Sequence, residues 1–305
     1  MQPIHDLAIV LRSIPYGDRH KIVTALTEKH GQISALAKNS VQSRRFGGAL
    51  EPFVASQWIY SWKPGAELAQ LSEAEVKEAF EDIRKNFELF SVASALNELM
   101  LRLAPQNEAC PDLFRLHSNA LVALNELAGS FAAQTTLQGP QISLLNAYLA
   151  KLLQWCGNQP RLTSCSICGI MLSQILDQIL KKTDSEAELS CTIASAGWVC
   201  PQCRTQETRH VSMGEREGVQ FQHLALRITP LAIVDFHSCL SFPIRKVIPE
   251  MKASYQEHQQ LFKFLEALFI YHVPGFDKTP IKSLRFLDLE SNLKFAESNP
   301  PHNSL

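Results

Sequence analysis

Two identical pairs of cysteines are the strongest chemical signal in this 305-residue chain. Cys165 and Cys168 form one C-x2-C pair, and Cys200 and Cys203 form the other. A C-x2-C turn lets two thiolates converge on one ion, and two such turns complete a tetrahedral shell of four sulfurs. Soft thiolate ligands favour Zn²⁺, and a closed shell leaves no position for a substrate water. The spacing therefore predicts one structural zinc ion held by these four residues.

The other cysteines and the length of the intervening segment leave alternatives open. A C-x2-C pair can also be a redox centre, as in thioredoxin-like proteins, although two matched pairs favour a metal. Segment 169–199 is longer than the about 15–20 residues between the pairs of compact zinc ribbons, and it reads as a helical insertion followed by a polar loop. Cys156 and Cys191 are rival ligands by position, but neither has a C-x2-C partner. We expect them to be small core residues, like Cys110 and Cys239.

No catalytic motif accompanies the cysteines. The sequence contains no G-x-x-x-x-G-K-S/T, no G-x-S-x-G and no H-E-x-x-H. Its ten histidines are dispersed, and no histidine and carboxylate group together as an acid–base pair. His20 and His30 flank a predicted strand and are expected at the surface rather than as ligands. We therefore predict a binding protein and not an enzyme.

The charge of the chain is uneven, although its net value is −1. Residues 1–65 contain eight Lys and Arg against four Asp and Glu, residues 67–100 contain three against eight, and residues 245–285 contain seven against four. The basic N-terminal part predicts contact with nucleic-acid phosphates. Its candidate DNA-binding cations are Arg12, Arg19, Lys21, Lys38, Arg44, Arg45 and Lys63.

The N-terminal residues 1–72 have the length of a β-sandwich or a small barrel, and we predict a five-stranded barrel of the OB type. An OB-fold binds nucleic acid with a basic groove and stacking aromatic rings. About five short runs of β-type residues alternate with turn signals, as expected for antiparallel strands. The stretch RRFGGALEPF, residues 44–53, would connect the third and fourth strands, with the turn at Gly47-Gly48 and the sheet resumed at Phe53. The ring of Phe46 would either stack on a base or plug the barrel end. The aromatic candidates for stacking are Tyr16, Phe46, Trp58, Tyr60 and Trp62, several of which must belong to the core.

The rest of the chain changes to helical periodicity. Ser72 with Glu75 fits a capping box, so a helix is predicted to begin there, with the acidic run 73–88 as its solvated face. We assign residues 73–155 to a helical domain, 156–207 to the zinc module with its insertion, and 208–290 to the C-terminal part of the helical domain. Residues 291–305 are polar and expected to be disordered. The last helix would bury a stripe of Leu261, Phe262, Leu265, Leu268 and Phe269.

The N-terminal part contains four short passages: Pro15-Tyr16-Gly17-Asp18, Thr27-Glu28 with Gly31, Ala37-Lys38, and Phe46-Gly47 to Pro52. In their order and spacing these passages resemble the bacterial RecO family of DNA repair proteins. GWVCPQC is similar to the second knuckle of the family's zinc module, and KSLRFL (282–287) to its C-terminal segment. The similarity covers nearly the whole chain in the family's domain order. Only the long insertion between the cysteine pairs departs from the usual pattern.

The resemblance implies an OB-fold domain, a helical domain and a four-cysteine zinc module in a multidomain α+β protein of recombinational repair that is not an enzyme. It also implies binding to single- and double-stranded DNA, annealing of complementary strands and contact with single-strand DNA-binding protein. Together with RecR, such a protein helps to load RecA, in the pathway that also includes RecF.

Two other classes of function stay open at this point. A structural adaptor would dock proteins on its zinc module and helices, with DNA contact incidental. An OB-fold RNA-binding protein would have the same basic groove, because the contact to a 2′-OH is invisible in a sequence. No apolar run approaches the about 18–20 residues of a membrane span, and the N-terminus lacks a signal-peptide pattern. We therefore expect a cytoplasmic, nucleoid-associated protein.

Overall fold

The computed structural model of the chain describes residues 2–62, 65–131, 139–175, 189–204, 226–276 and 281–287. Three predictions lie outside these ranges: the DNA contact of Lys63, most of the insertion between the cysteine pairs, and the disorder of residues 291–305. The described residues form a β-barrel, a helical domain and a small second sheet. Among the described helices, none is both long and apolar enough to cross a lipid bilayer.

The N-terminal barrel is closed and has the strand order β1-β2-β3-β5-β4, as expected for an OB-type fold. All its strand pairs are antiparallel except β3 and β5, which are parallel and close the barrel. The closing pair therefore departs from the prediction of antiparallel strands alone. The strands are β1 Ile4–Tyr16, β2 His20–Thr27, β3 Gly31–Ala37, β4 Ala55–Ser61 and β5 Ala69–Glu78.

The helix predicted to begin at Ser72 is wrong, because Ser72 and Glu75 lie in strand β5. The neighbouring Leu71 pairs with Tyr60 of β4 and with Ala37 of β3, so this segment completes the barrel. Ser72 and Glu75 are both exposed, and their capping-box spacing is a chance match that barrel closure overrides. The first helix starts only at Glu81, after the chain turns through Phe80 at φ 47°.

The barrel interior is filled by small aliphatic side chains around the buried rings of Trp58 and Tyr60. The connection between β3 and β4, residues 38–54, covers one end of this interior. Its Phe46 is 2% exposed and belongs to the same hydrophobic cluster as Trp58, so Phe46 plugs the barrel end. The predicted position of RRFGGALEPF between the third and fourth strands is confirmed.

The helical domain is built around helix α4, Pro140–Trp155, which is buried along nearly its whole length. Helix α7, Tyr255–His272, begins with a capping box formed by Ser254 and Glu257, and its predicted apolar stripe from Leu261 to Phe269 is buried. Two 3-10 helices, Ile248–Glu250 and Lys282–Leu287, complete the domain. The α-helices are α1 Glu81–Lys85, α2 Phe87–Leu103, α3 Pro111–Phe131, α4 Pro140–Trp155, α5 Pro230–Ser241, α6 Ile244–Val247 and α7 Tyr255–His272.

A buried polar relay joins the barrel to the helical domain. The β1–β2 register shifts between Val10 and Arg12, and Asn97 Nδ2 donates to the Val10 and Leu11 carbonyls at this bulge, at 3.1 and 2.9 Å. Asn97 Oδ1 lies 3.1 Å from His117 Nε2, and His117 Nδ1 lies 2.8 Å from the hydroxyl of Tyr148. Because the Asn97 amide donates to the barrel, its oxygen accepts from His117 Nε2–H, which leaves Nδ1 to accept from Tyr148.

The second sheet is small and has the strand order β6-β8-β7-β9. Its strands β6 and β8 are parallel, with Cys165 opposite Trp198. Trp198 is fully buried and donates from Nε1 to the carbonyl of Leu162 at 2.9 Å. The strands are β6 Arg161–Cys165, β7 Leu189–Thr192, β8 Gly197–Val199 and β9 Leu226–Ile228.

Candidate metal centre and nucleic-acid interface

The two C-x2-C pairs meet in space. The Sγ atoms of Cys165, Cys168, Cys200 and Cys203 all lie within 4.8 Å of one another, and those of Cys168 and Cys200 are 3.7 Å apart. In a tetrahedral site with metal–sulfur bonds of about 2.3 Å, sulfurs are about 3.8 Å apart. The four cysteines therefore form a cluster that fits one metal ion.

Strand pairing brings the two cysteine pairs together. The parallel pair β6 and β8 ends with Cys165 on one strand and leads directly to Cys200 after the other. The first knuckle turns at Gly169, whose φ is +74° and whose N–H donates to the Cys165 carbonyl at 3.0 Å. The backbone of Gly197 packs closely on Ser166, since a Cβ at Gly197 would collide with the Ser166 hydroxyl unless that hydroxyl rotated away. The sequence around each pair thus sets the position of the thiols.

The electrostatics of the cluster suit a cation. Burial acts to raise the pKa of the Cys165 thiol, but backbone N–H groups of Cys168, Cys200 and Ile167 outweigh it and lower the pKa to about 7. Burial, followed by the neighbouring thiols, raises the pKa of Cys203 to about 12. Four thiolates this close repel one another, so a bound cation is what would let all of them ionise.

The remaining cysteines stand apart from this cluster. Cys110, Cys191 and Cys239 are buried, and Cys156 is half-buried at the end of α4. Burial raises the pKa of Cys191 and Cys239, as expected for thiols in an apolar core. Cys156 and Cys191 are not members of the metal-binding group found among the described residues, so the rival ligand sets are not supported.

The predicted DNA-binding cations divide into exposed and paired residues. Lys21 forms an ion pair with Glu51 at 2.8 Å, so its charge is already partly neutralised. Lys63 lies outside the described ranges. The exposed cations are Arg12, Arg19, Lys38, Arg44 and Arg45.

Three exposed cations gather on one face of the barrel, which we call the β1–β2–β3 face. It comprises the outward side chains Arg12, Ile14 and Tyr16 of β1, His20 and Ile22 of β2 and Leu36 of β3, together with the adjoining turn residues Arg19, Lys38 and Val41.

The turn after β1 and the loop after β3 meet at this face. The backbone N–H of Val41 donates to the Arg19 carbonyl at 3.3 Å, and the N–H of Asn39 donates to His20 Nδ1 at 2.8 Å. Arg19 and Lys38, which are far apart in sequence, thereby lie beside the same hairpin.

Arg44 and Arg45 lie elsewhere on the barrel mouth. The Arg45 carbonyl accepts from the N–H of Ala74 in β5 at 3.4 Å, and its guanidinium lies 5.8 Å from the ring centroid of Phe46. The outer side of β5 nearby is acidic, with Glu73, Glu75 and Glu78 all exposed. The exposed charges of the β1–β2–β3 face are therefore mainly basic, with Asp18 of the β1–β2 turn as an opposing charge. Those of β5 are mainly acidic, with Lys77 paired to Glu75 at 2.9 Å.

Burial decides which of the five aromatic candidates has a ring that a base could reach. Trp58, Tyr60 and Phe46 lie in the barrel interior. Trp62 is half-buried and packs edge-on against Tyr60, with ring centroids 5.5 Å apart. Tyr16 is 55% exposed on the β1–β2–β3 face.

His30 is more embedded than predicted. Its Nδ1 lies 3.1 Å from the fully buried carboxylate of Asp6 and 2.8 Å from the hydroxyl of Tyr60. The Tyr60 hydroxyl itself donates to Asp6 at 3.0 Å, and burial raises the pKa of Tyr60. This cluster fixes the turn between β2 and β3, where the N–H of Lys29 also donates to Asp6. Sequence reasoning missed the cluster, because its members are distant in sequence.

Barrel, helices and cysteine cluster together define a multidomain OB-type protein with a four-cysteine metal-binding module. Residues 1–80 match the protein family described as Recombination protein O N terminal, and residues 84–220 match Recombination protein O C terminal. The chain therefore belongs to the RecO family of DNA repair proteins.

Individual relatives agree with this assignment. The chain is 30% identical over 205 residues to the DNA repair protein RecO of Desulfatibacillum aliphaticivorans, covering 67% of this chain and 72% of the relative. It is 29% identical over 203 residues to that of Desulforamulus reducens, covering 66% and 69%. It is 32% identical over 170 residues to that of Myxococcus xanthus, covering 55% and 65%.

Proposed function

We propose that this protein binds single- and double-stranded DNA through its barrel, anneals complementary strands and helps RecR to load RecA in recombinational repair. The observation that carries the proposal is the basic β1–β2–β3 face of an OB-type barrel in a chain of the RecO family. In OB-folds the second and third strands, with the loops after the first and fourth, form the binding face. Arg19 lies in the first of these loops.

Annealing requires no fuel, which agrees with a protein that is not an enzyme. Pairing of complementary strands releases about 1.4 kcal/mol per base-pair step. The protein need only neutralise phosphates and hold two strands within reach, and exposed cations do both. The acidic β5 face would repel the backbone, which confines DNA to the basic side.

The described histidine–carboxylate pairs have structural roles under this proposal. His258 Nε2 lies 3.3 Å from Asp235 Oδ2, but the two residues are 2% and 0% exposed. Asp235 also accepts from the backbone N–H groups of Lys252 and Ala253, so it holds the turn before α7. Burial lowers the pKa of His258, although the nearby carboxylates of Asp235 and Glu257 act in the opposite direction.

We further propose that the metal of the cysteine cluster is one structural Zn²⁺. The support is the all-thiolate donor set and the spacing of its sulfurs, which suits metal–sulfur bonds of about 2.3 Å. A bound zinc ion would supply folding free energy to the small sheet around it. It would leave no open coordination position for catalysis.

Membership in the family supports the proposed partners, which are RecR, single-strand DNA-binding protein and, indirectly, RecA and RecF. Such a protein would act in the cytoplasm, at the nucleoid. The competing candidates are an adaptor with incidental DNA contact and an OB-fold RNA-binding protein.

One annealing experiment separates the three candidates. Complementary DNA oligonucleotides coated with single-strand DNA-binding protein are mixed with this protein, with and without RecR, and duplex formation is followed by fluorescence transfer. The proposal expects faster annealing by this protein alone and an altered rate with RecR. Matched RNA oligonucleotides serve as the control substrate. Absence of annealing with DNA overturns the proposed function, and a clear preference for RNA favours the RNA-binding alternative.

A further inference from the structure

We propose that Tyr16 is the base-stacking residue of the barrel, on which one base of single-stranded DNA lies while neighbouring cations hold the flanking phosphates. The inference rests on the proposed DNA binding and adds a contact to it. A groove that contacts only phosphates binds a strand with the same affinity whether or not its bases are present. A stacking platform makes the unpaired base itself part of what is recognised.

Exposure singles out Tyr16 among the aromatic residues of the barrel. Phe46, Trp58 and Tyr60 are at most 2% exposed and form its interior, so no base reaches their ring faces. Trp62 is held edge-on between Tyr60 and His30, at ring-centroid distances of 5.5 and 5.8 Å. Tyr16 is 55% exposed, which leaves much of its ring accessible.

The surroundings of Tyr16 combine exposed apolar side chains with cations, alongside the single acidic residue Asp18 of the same turn. Ile14, two residues earlier on the same strand, faces the same side and is 41% exposed. Val41, 57% exposed, is joined through its N–H to the Arg19 carbonyl. Large apolar side chains so exposed on one face of a domain indicate a binding site.

Backbone contacts hold the cations at the hairpin that begins with Tyr16. Tyr16 and His20 are cross-strand partners, so their side chains share one face. His20 accepts from the N–H of Asn39, which places the adjacent Lys38 beside the hairpin, and Arg19 lies within the hairpin turn. An apolar platform with positive charge at its edge fits a base with its phosphates. An apolar protein segment would not need the cations.

The test compares binding affinities with the Tyr16 ring present or removed and with the DNA bases present or removed. Binding of a labelled dT oligonucleotide is measured by fluorescence anisotropy at several salt concentrations for wild type, Tyr16→Ala and Tyr16→Phe. The same proteins are measured with an oligonucleotide of equal length that carries abasic sites. Tyr271→Ala is the matched control, because Tyr271 is 50% exposed on α7, outside the barrel. Thermal melting confirms that each variant is folded.

Stacking on Tyr16 predicts a specific pattern. Tyr16→Ala should weaken binding to the dT oligonucleotide about 5- to 150-fold, because stacking of one base on an aromatic ring has that range of effect. The salt slope should stay unchanged, since no phosphate contact is lost, and Tyr16→Phe should retain wild-type affinity. With the abasic oligonucleotide, the difference between wild type and Tyr16→Ala should disappear.

Other outcomes overturn the inference in distinguishable ways. If Tyr16→Ala binds the dT oligonucleotide with wild-type affinity, stacking is refuted while DNA binding stands. The exposed patch around Tyr16 would then be assigned to contact with a protein partner. An equal loss with the abasic oligonucleotide, or a reduced salt slope, would show that Tyr16 acts on the shape of the hairpin and not on a base. Failure of the wild-type protein to bind either oligonucleotide would overturn the proposed function together with the inference.

Discussion

Replacing Gly31 by alanine should loosen the barrel from the helical domain. Gly31 begins β3 at φ +63°, and a Cβ there would collide with the carbonyl oxygen of Glu108 and lie 2.7 Å from that of Pro105. Two backbone hydrogen bonds cross the same junction: Gln32 N–H donates to Pro105 O at 2.9 Å, and Asn107 N–H donates to Gln32 O at 3.1 Å. The side chain of alanine therefore cannot be accommodated unless the β2–β3 turn and the α2–α3 loop move apart.

The expected loss in the free energy of unfolding of Gly31→Ala has two contributions, each with a typical magnitude. A left-handed backbone costs alanine about 1–2 kcal/mol relative to glycine. Loss of the two crossing hydrogen bonds adds about 0.5–1.5 kcal/mol each. Gly31→Ala should therefore lower the free energy of unfolding by about 2–5 kcal/mol. Gly17→Ala is a matched control, since Gly17 has φ +61° and nothing within 4 Å of the added Cβ, and it should lose only the about 1–2 kcal/mol of backbone strain.

Urea unfolding of the two variants, followed by circular dichroism, measures the difference directly. Amide hydrogen exchange then locates it: the N–H groups of Gln32 and Asn107 should exchange faster in Gly31→Ala and at the wild-type rate in Gly17→Ala. Equal losses of stability in the two variants, with both amides still protected, would refute the docking of the β2–β3 turn on the α2–α3 loop.

Three further predictions test the interface, the metal and the buried relay. Arg19→Ala combined with Lys38→Ala, on the β1–β2–β3 face, should weaken single-strand binding and reduce the salt slope by about 1.4, at about 0.7 per phosphate contact; unchanged affinity and slope would exclude both from the DNA path. Arg44→Ala combined with Arg45→Ala tests whether that path also reaches the loop after β3, where each phosphate contact would again contribute about 0.7 to the slope. The purified protein should contain one zinc per chain by elemental analysis, and Cys168→Ser should unfold the small sheet, so an ordered sheet in that metal-free variant would contradict the structural role. Burial lowers the pKa of His117 from 6.5 to about 3, so its contribution to stability is complete above about pH 6.5 and is lost as the pH falls toward 3. His117→Gln should therefore show a shallower fall of the free energy of unfolding over that range, by up to about 1.4 kcal/mol per pH unit; equal slopes in urea unfolding would refute this.

The cysteine cluster could be predicted from the sequence because its information is local. Each C-x2-C pair fixes its own turn, and the chemistry of four thiolates requires that the two pairs meet. The OB-type barrel was also predictable, since β-type runs and turn residues alternate at short spacing over the N-terminal part. Both features can be recognised from local patterns, although long-range strand pairing assembles them in the structure.

What the sequence could not show depends on long-range contacts. The Ser72–Glu75 spacing predicts a helix start, but the pairing of Leu71 with two other strands makes the segment a strand. Burial of the aromatic residues follows from barrel closure, so Trp58 and Tyr16 could not be distinguished before the strands were placed. The relay from the β1 bulge through Asn97 likewise joins residues that no local pattern connects.

Packing and charge together leave one side of the barrel for DNA. The outward side chains Ile9, Leu11 and Leu26 belong to the core of the helical domain, so that side of β1 and β2 is covered. The outer side of β5 is exposed and mainly acidic, although Lys77 pairs with Glu75 there, so it is less suited to a phosphate backbone than the β1–β2–β3 face. The bulge after Val10 divides β1 into a part that packs on the helices and a part that is exposed. It turns Leu11 toward the helices and leaves Arg12, Ile14 and Tyr16 at the surface. Asn97 binds the two carbonyls of that bulge, so a residue that joins the barrel to the helices also sets where the exposed, basic part of β1 begins.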